Sequence, residues 1–306
     1  MSLLDLNEFY NITVEKIDYF KQNGHVLLRN VCSKKEITVY RDLLKKTSFD
    51  QFPDIPKMDD RPEEDFSRAF IQTFNLHEHD PSLKTFCLSP RFGKIAADLK
   101  QVRAVRLYYN KAMFKEPSSW ITPWHQDGPH WPITSNNMLT MWIALVDITL
   151  DMGPIRFASK THKNKYFGPK GISTQSESFY DEHIKSNHCG ISEMSLKAGD
   201  ATVHNHWTIH GAGCNKTKSM REVIAITMYQ DGLKIDQSIC QSDLTMMPMI
   251  KQDENQTDNP ATNKEENSMN MVGMSPEGTV KDPFFGGRIH GEIANSKRNP
   301  LLFIRS

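Results

Sequence analysis

Across its 306 residues the chain has few of the features that would place it in a specialised class. No apolar run approaches the roughly 18 residues of a spanning helix, which excludes a helical membrane anchor. The first ten residues, Met1–Tyr10, mix polar and apolar types where a secretory leader would be basic and then uniformly apolar. Cysteine is sparse: Cys32, Cys87, Cys189, Cys214 and Cys240 are scattered, odd in number, and form no C-x-x-C pair of the kind that structural zinc requires. That usage suits a reducing interior, so a cytoplasmic location is expected. The C-terminal Phe303-Ile304-Arg305-Ser306 is not a peroxisomal address either. Charge of one sign is not in excess, with 37 acidic and 37 basic residues, so no global field draws the protein to nucleic acid or to an anionic membrane. A small-molecule substrate is the expected partner, and oligomeric state is open.

What is present has a clear order along the chain. Val14–Asn23 carries helical spacing, Gly24 stops it, and His25-Val26-Leu27-Leu28-Arg29 reads as a strand. Ser33 with Glu36 three residues later is a capping box opening a helix through Ile37, Tyr40, Leu43 and Leu44. Residues 47–65 are rich in Asp, Glu and Pro and read as a loop, and Leu83–Leu99 returns to helical spacing. From Val102 onward short apolar runs alternate with turn residues: Val102–Tyr109, Leu139–Asp147, Ile155–Ala158, Ala201–His204 and Val223–Tyr229. This texture favours a jelly roll or related barrel. Residues 251–280 are polar, free of aromatics, and expected to form a mobile insertion. The tail around Pro300-Leu301-Leu302-Phe303 is apolar enough to dock back. One catalytic domain over 1–306 is expected, helix-rich through 1–100, with a barrel core at 101–232 and a docking segment at 281–306.

The chemistry concentrates in Trp124-His125-Gln126-Asp127. On an extended backbone residues i and i+2 face the same side, so His125 and Asp127 can reach one ion. His210, followed by Gly211, is the best third ligand. Two imidazoles and one carboxylate leave three coordination positions open, which Fe(II) needs to accept a bidentate oxo-acid and then dioxygen. A lone H-x-D is common by chance, and twelve histidines make accidents easy. Combination with Arg221 raises its meaning, because a guanidinium fits a terminal carboxylate better than a lysine does. With 213–219 read as a turn, His210 and Arg221 are expected on neighbouring antiparallel strands. His204 and His206 compete with His210; the His206/His210 spacing serves zinc on a helix, but Thr202, Val203, Thr208 and Ile209 argue for strand. Trp120, Trp124, His130 and Trp131 read either as packing at a barrel mouth or as an aromatic wall for substrate, with the wall preferred. Lys115 reads as solvated.

Together these residues resemble the phytanoyl-CoA dioxygenase family of 2-oxoglutarate oxygenases. The resemblance is carried by Phe114-Lys115-Glu116-Pro117, the H-x-D segment, Met141–Asp147, Gly153, Ser159-Lys160-Thr161-His162, Gly199-Asp200, His210-Gly211, Asn215 and Arg221. It implies a mainly β protein with flanking helices (α+β), built on a double-stranded β-helix of the jelly-roll or cupin-like kind. It further implies iron on His125, Asp127 and His210, the distal carboxylate of 2-oxoglutarate on Arg221, and Trp142 flanking that co-substrate. Thr140 and Gln126 stand where family members make secondary contacts. Dioxygen would be the second co-substrate and ascorbate a candidate reductant. Two departures stand out: Ala212 replaces a small polar residue two after the distal histidine, and Ala158-Ser159-Lys160 replaces a proline-glycine-serine turn. Two other functions share the ligand set, a metal-binding barrel without catalysis and a zinc hydrolase; hydrolysis needs no diacid anchor, so Arg221 discriminates against the latter.

Overall fold

A computed structural model describes residues 4, 6–52, 54–61, 68–133, 135–169, 171–236 and 283–306. The expected insertion at 251–280 lies outside the described residues. Helix α1 (Val14–Asn23) ends on Gly24, whose φ of 81° lets its N–H reach back to the Phe20 carbonyl. Strand β1 (His25–Leu28) follows, then α2 (Lys34–Asp50), opened by the Ser33/Glu36 capping box in reciprocal hydrogen bonds. The helix continues to Asp50, taking in the first four residues of the stretch expected as loop. Next come β2 (Ile71–Phe74), the short α3 (Leu76–His79) and α4 (Lys84–Cys87), and α5 (Pro90–Lys100). The expected single helix over Leu83–Leu99 is therefore interrupted, because Ser89-Pro90 starts a new one with the Ser89 hydroxyl accepting from Arg91 N–H.

The rest is nearly all strand: β3 (Ala104–Lys115), β4 (Thr122–His125), β5 (Met138–Ala144) and β6 (Ile155–Ala158), then helix α6 (Thr174–Ser186), then β7 (Ile191–Glu193), β8 (Ala201–Asn205), β9 (His210–Ala212), β10 (Arg221–Gln230) and β11 (Leu301–Ile304). A seven-stranded sheet runs β1-β8-β5-β10-β3-β11, with β2 also on β3, and a four-stranded sheet runs β4-β9-β6-β7. All pairings are antiparallel. Strands β2 and β11 share one edge of β3, opposite Lys111–Phe114 and Ala104–Arg106. The C-terminal tail thus returns to the large sheet.

Period-two alternation explains why β10 is an almost unbroken apolar run. Ile224, Ile226 and Met228 join the core under α2 and α5, whereas Val223 and Ala225 face the small sheet with Trp142, Ala144 and Phe157. Both faces are covered, so a half-polar pattern would bury unpaired groups at a cost. Between the two sheets the side chains leave a cavity. This is the jelly-roll arrangement, mainly β with helices packed outside the large sheet.

Candidate metal centre and its cavity

The two motif segments meet through the small sheet. In the β4–β9 pairing His125 stands opposite His210, and beyond the strands Gly128 N–H donates to the His206 carbonyl at 2.9 Å. Gly211 permits the approach, since a Cβ there would lie 2.8 Å from the Thr122 carbonyl oxygen. Ligand atoms of His125, Asp127 and His210 all fall within 4.8 Å of one another. His125 Nε2 is 3.9 Å and His210 Nε2 3.7 Å from Asp127 Oδ1.

Hydrogen bonding orients each donor. His125 Nδ1 donates to the Pro123 carbonyl at 2.7 Å and His210 Nδ1 to the Thr208 carbonyl at 3.0 Å, an assignment that leaves both Nε2 lone pairs turned inward. Asp127 Oδ2 accepts from His204 Nε2 at 3.2 Å and from the Thr140 hydroxyl at 3.3 Å, which leaves Oδ1 toward the imidazoles. Burial pushes the His125 pKa down to about 4 and that of His210 well below its ordinary value. Burial also opposes ionisation of Asp127, but His210, His204 and His125 outweigh it and hold the carboxyl well below the usual range. Neutral imidazoles beside an ionised carboxylate are the protonation states that a divalent ion takes. The donor set fits Fe(II), and its one-sided placement fits an open coordination site.

Arg221 enters the same cavity from the opposite sheet. The expectation of neighbouring strands for His210 and Arg221 is corrected: β9 belongs to the small sheet and β10 to the large one, so residues 213–219 cross between sheets where a hairpin was expected. Arg221 is 2% exposed, donates Nη1 to the Gly153 carbonyl at 2.5 Å, lies 5.2 Å over the Trp142 ring, and leaves Nε without a partner. Burial lowers its pKa to about 9. A guanidinium carrying that cost with a free edge suits a carboxylate. Trp142 and Thr140 line the cavity, as do His130 and Trp131.

Other expected site residues are placed elsewhere. Gln126 points away: its amide donates to the Trp207 and Lys165 carbonyls at 2.6 and 2.9 Å, so a contact with co-substrate is corrected. Trp124 shares that outward side, buried with the Arg156 guanidinium 4.0 Å from its ring centroid, and Trp120 is 39% exposed outside the cavity. The alternation that brings 125 and 127 inward sends 124 and 126 out. The aromatic wall consequently comes from Phe70, Phe74, Tyr109 and Trp131. Lys115, expected in solvent, is fully buried between β2 and β10 and donates to the carbonyls of Ala69, at 3.0 Å, and of Trp120. His206 lies outside the cavity with Nδ1 facing the Met138 carbonyl, while His204 lines it as a partner of Asp127. Lys111 and Gln72 also line it and had not been singled out; a lysine in the inward row Tyr109, Lys111, Met113 was the available signal.

Comparisons with known proteins agree with this geometry. The profile of the family described as "Phytanoyl-CoA dioxygenase (PhyH)" matches residues 20–223. A probable alpha-ketoglutarate-dependent hypophosphite dioxygenase of Stutzerimonas stutzeri is 28% identical over 128 residues, 40% of this chain and 44% of that protein. The peroxisomal phytanoyl-CoA dioxygenase of Mus musculus is 22% identical over 232 residues, 70% of this chain and 67% of the relative. Among solved structures, the epimerase SnoN in complex with Fe3+, alpha ketoglutarate and nogalamycin RO superposes with a TM-score of 0.67 at 16% identity, covering 94% of this chain and 98% of that one. The apoform of EctD from S. alaskensis gives 0.64 at 18% identity, covering 79% and 86%. The profile match spans well over half of the sequence, and the chain belongs to the phytanoyl-CoA dioxygenase family of iron- and 2-oxoglutarate-dependent oxygenases.

Proposed function

We propose that this chain oxidises an unactivated C–H bond of a small organic molecule, hydroxylation being the expected outcome, while converting 2-oxoglutarate and dioxygen to succinate and carbon dioxide. The observation that carries this reading is the facing of two groups in one cavity: the His125, Asp127 and His210 donors on one wall and the buried Arg221 on the other. Iron, when bound there, supplies the redox chemistry that activates dioxygen. The protein's own share is orientation. Pro123 and Thr208 carbonyls fix the two imidazole rings, and His204 with Thr140 fixes the carboxylate. Arg221, steadied by Gly153, receives the distal carboxylate of 2-oxoglutarate against the Trp142 ring. The cavity opens to solvent, and its aromatic lining of Phe70, Phe74, Tyr109 and Trp131 is where a second molecule would lie beside the co-substrate.

The buried guanidinium favours this reading over a zinc hydrolase or an inert barrel, since neither has use for a desolvated cation opposite the ligands. No helix among the described residues is long and apolar enough to cross a membrane. Cys32, Cys87, Cys189 and Cys214 are all free thiols, which supports a cytoplasmic setting. Asp127→Ala tests the reading: iron-dependent succinate formation should vanish while thermal unfolding stays cooperative. Retained succinate formation would remove Asp127 from the ligand set.

A further inference from the structure

Every charged group in the cavity has a task in the proposed reaction except one. Lys111 sits in the middle of β3, with β10 on one side and β2 on the other, and its side chain lines the cavity beside Gln72, Phe74 and His130. Its ammonium lies 5.5 Å from the Phe74 ring centroid and 6.0 Å from that of Phe70. Among the described residues it has no hydrogen bond or ion pair. The acidic group that acts on it is Asp127, whose Oδ2 is already held by His204 and Thr140 and whose Oδ1 faces the imidazoles. Near it, His130 Nε2 is buried without a partner, and burial together with the Lys111 charge outweighs Asp127 and keeps that imidazole neutral.

Lys111 is not a second arm for the co-substrate. It pairs in register with Ala225, whereas Arg221 pairs with Lys115. Four residues of strand separate the two positions, about 13 Å at ~3.3 Å per residue, more than a five-carbon diacid spans. Lys111 is partly exposed to the cavity, and two aromatic faces with no carboxylate against the ammonium leave room for an anion to meet it. Burial pushes its pKa down while Asp127 opposes the shift, so an arriving anion relieves a cost the fold otherwise carries.

We propose that Lys111, with His130 Nε2 beside it, anchors an oxyanion on the primary substrate, which makes that substrate an organic acid. Its apolar body would rest against Phe70, Phe74, Tyr109 and Trp131, and the anchored end would set which carbon faces the metal site. This inference rests on the iron and 2-oxoglutarate reading above.

Titration calorimetry on the full chain tests it, with Mn(II) replacing iron so that no turnover occurs. A first titration with 2-oxoglutarate examines the underlying reading alone; if neither metal nor 2-oxoglutarate binds, that reading falls and takes this inference with it. At saturating 2-oxoglutarate, three matched pairs are then compared: octanoate with octanamide, 4-phenylbutyrate with its amide, and indole-3-acetate with its amide. At least one acid should bind tenfold or more tightly than its amide. Lys111→Met should erase that preference, Lys111→Arg should keep it, and both variants should bind 2-oxoglutarate within about twofold of the parent, which also shows that they fold. The inference is overturned if no acid outbinds its amide, if Lys111→Met retains the preference, or if Lys111→Met instead weakens 2-oxoglutarate tenfold.

Discussion

Replacing Arg221 by methionine should stabilise the free protein, or leave it unchanged, while removing the response to 2-oxoglutarate. The guanidinium is 2% exposed and its pKa is lowered to about 9 from 12.5. At ~1.4 kcal/mol per tenfold, holding that charge in the fold costs roughly 5 kcal/mol. Against this stand the charged hydrogen bond to the Gly153 carbonyl, about 1.5–3 kcal/mol, and the contact with the Trp142 ring, about 0.5–2 kcal/mol. Methionine fills similar space, so the net change is about 0–3 kcal/mol in favour of the variant. Losing one partner of a buried charge pair costs about 2–5 kcal/mol, so the 2-oxoglutarate Kd should rise roughly 30- to 4000-fold. Thermal unfolding with Mn(II), with and without 2-oxoglutarate, reads both effects. At a ligand concentration of about 100 times the parent Kd, the parent gains about 2.7 kcal/mol and the variant about 0–0.9 kcal/mol. A variant that loses more than about 2 kcal/mol on its own, or that keeps the full ligand-induced gain, would refute the assignment of Arg221 as anchor.

Three further expectations follow from other contacts. His204→Phe removes the donor to Asp127 Oδ2 and should weaken Mn(II) binding about 10- to 100-fold with little change in unfolding temperature; unchanged affinity in a metal titration would argue against it. Gly153 has a φ of 65°, and a Cβ there would lie 2.2 Å from the Gly213 carbonyl oxygen, so Gly153→Ala should cost about 1–3 kcal/mol in a denaturant titration and also weaken 2-oxoglutarate through Arg221; an unmoved midpoint would refute this. Burial works against ionising Glu222, but hydrogen bonds from Arg41 and Lys45 prevail and hold its carboxyl below the usual range. A folded pKa below the unfolded one gives stability that is present above about pH 4.3 and lost as pH falls through the folded value. The parent should therefore be more stable than Glu222→Gln at neutral pH and the gap should close on acidification; a gap that widens below about pH 4 would contradict the sign.

Much of the site could be read from local rules because its parts obey them. The Ser33/Glu36 box, the β10 run and the His125/Asp127 pair depend on spacing alone. The same spacing rule sends Trp124 and Gln126 outward, but the aromatic cluster for Trp124 and family likeness for Gln126 led to both being expected at the site. Short strands were harder: β9 has three residues and β2 four, too few to show a period, and β2 follows a stretch rich in Asp and Pro. Sheet membership was not legible at all. Nothing between His210 and Arg221 says whether the chain turns back on itself or crosses to the facing sheet, and nothing near Lys115 says that β3 has strands on both sides. Those facts depend on partners distant in sequence.

The crossing of residues 213–219 has a mechanical consequence. With the donor trio hung from one sheet and the guanidinium from the other, the two walls act as the jaws of a caliper, and the packing of Trp142, Phe157 and Val223 sets its opening. Trimming a spacer such as Phe157, which coordinates nothing, would change how well a diacid bridges the jaws before it unfolds the barrel.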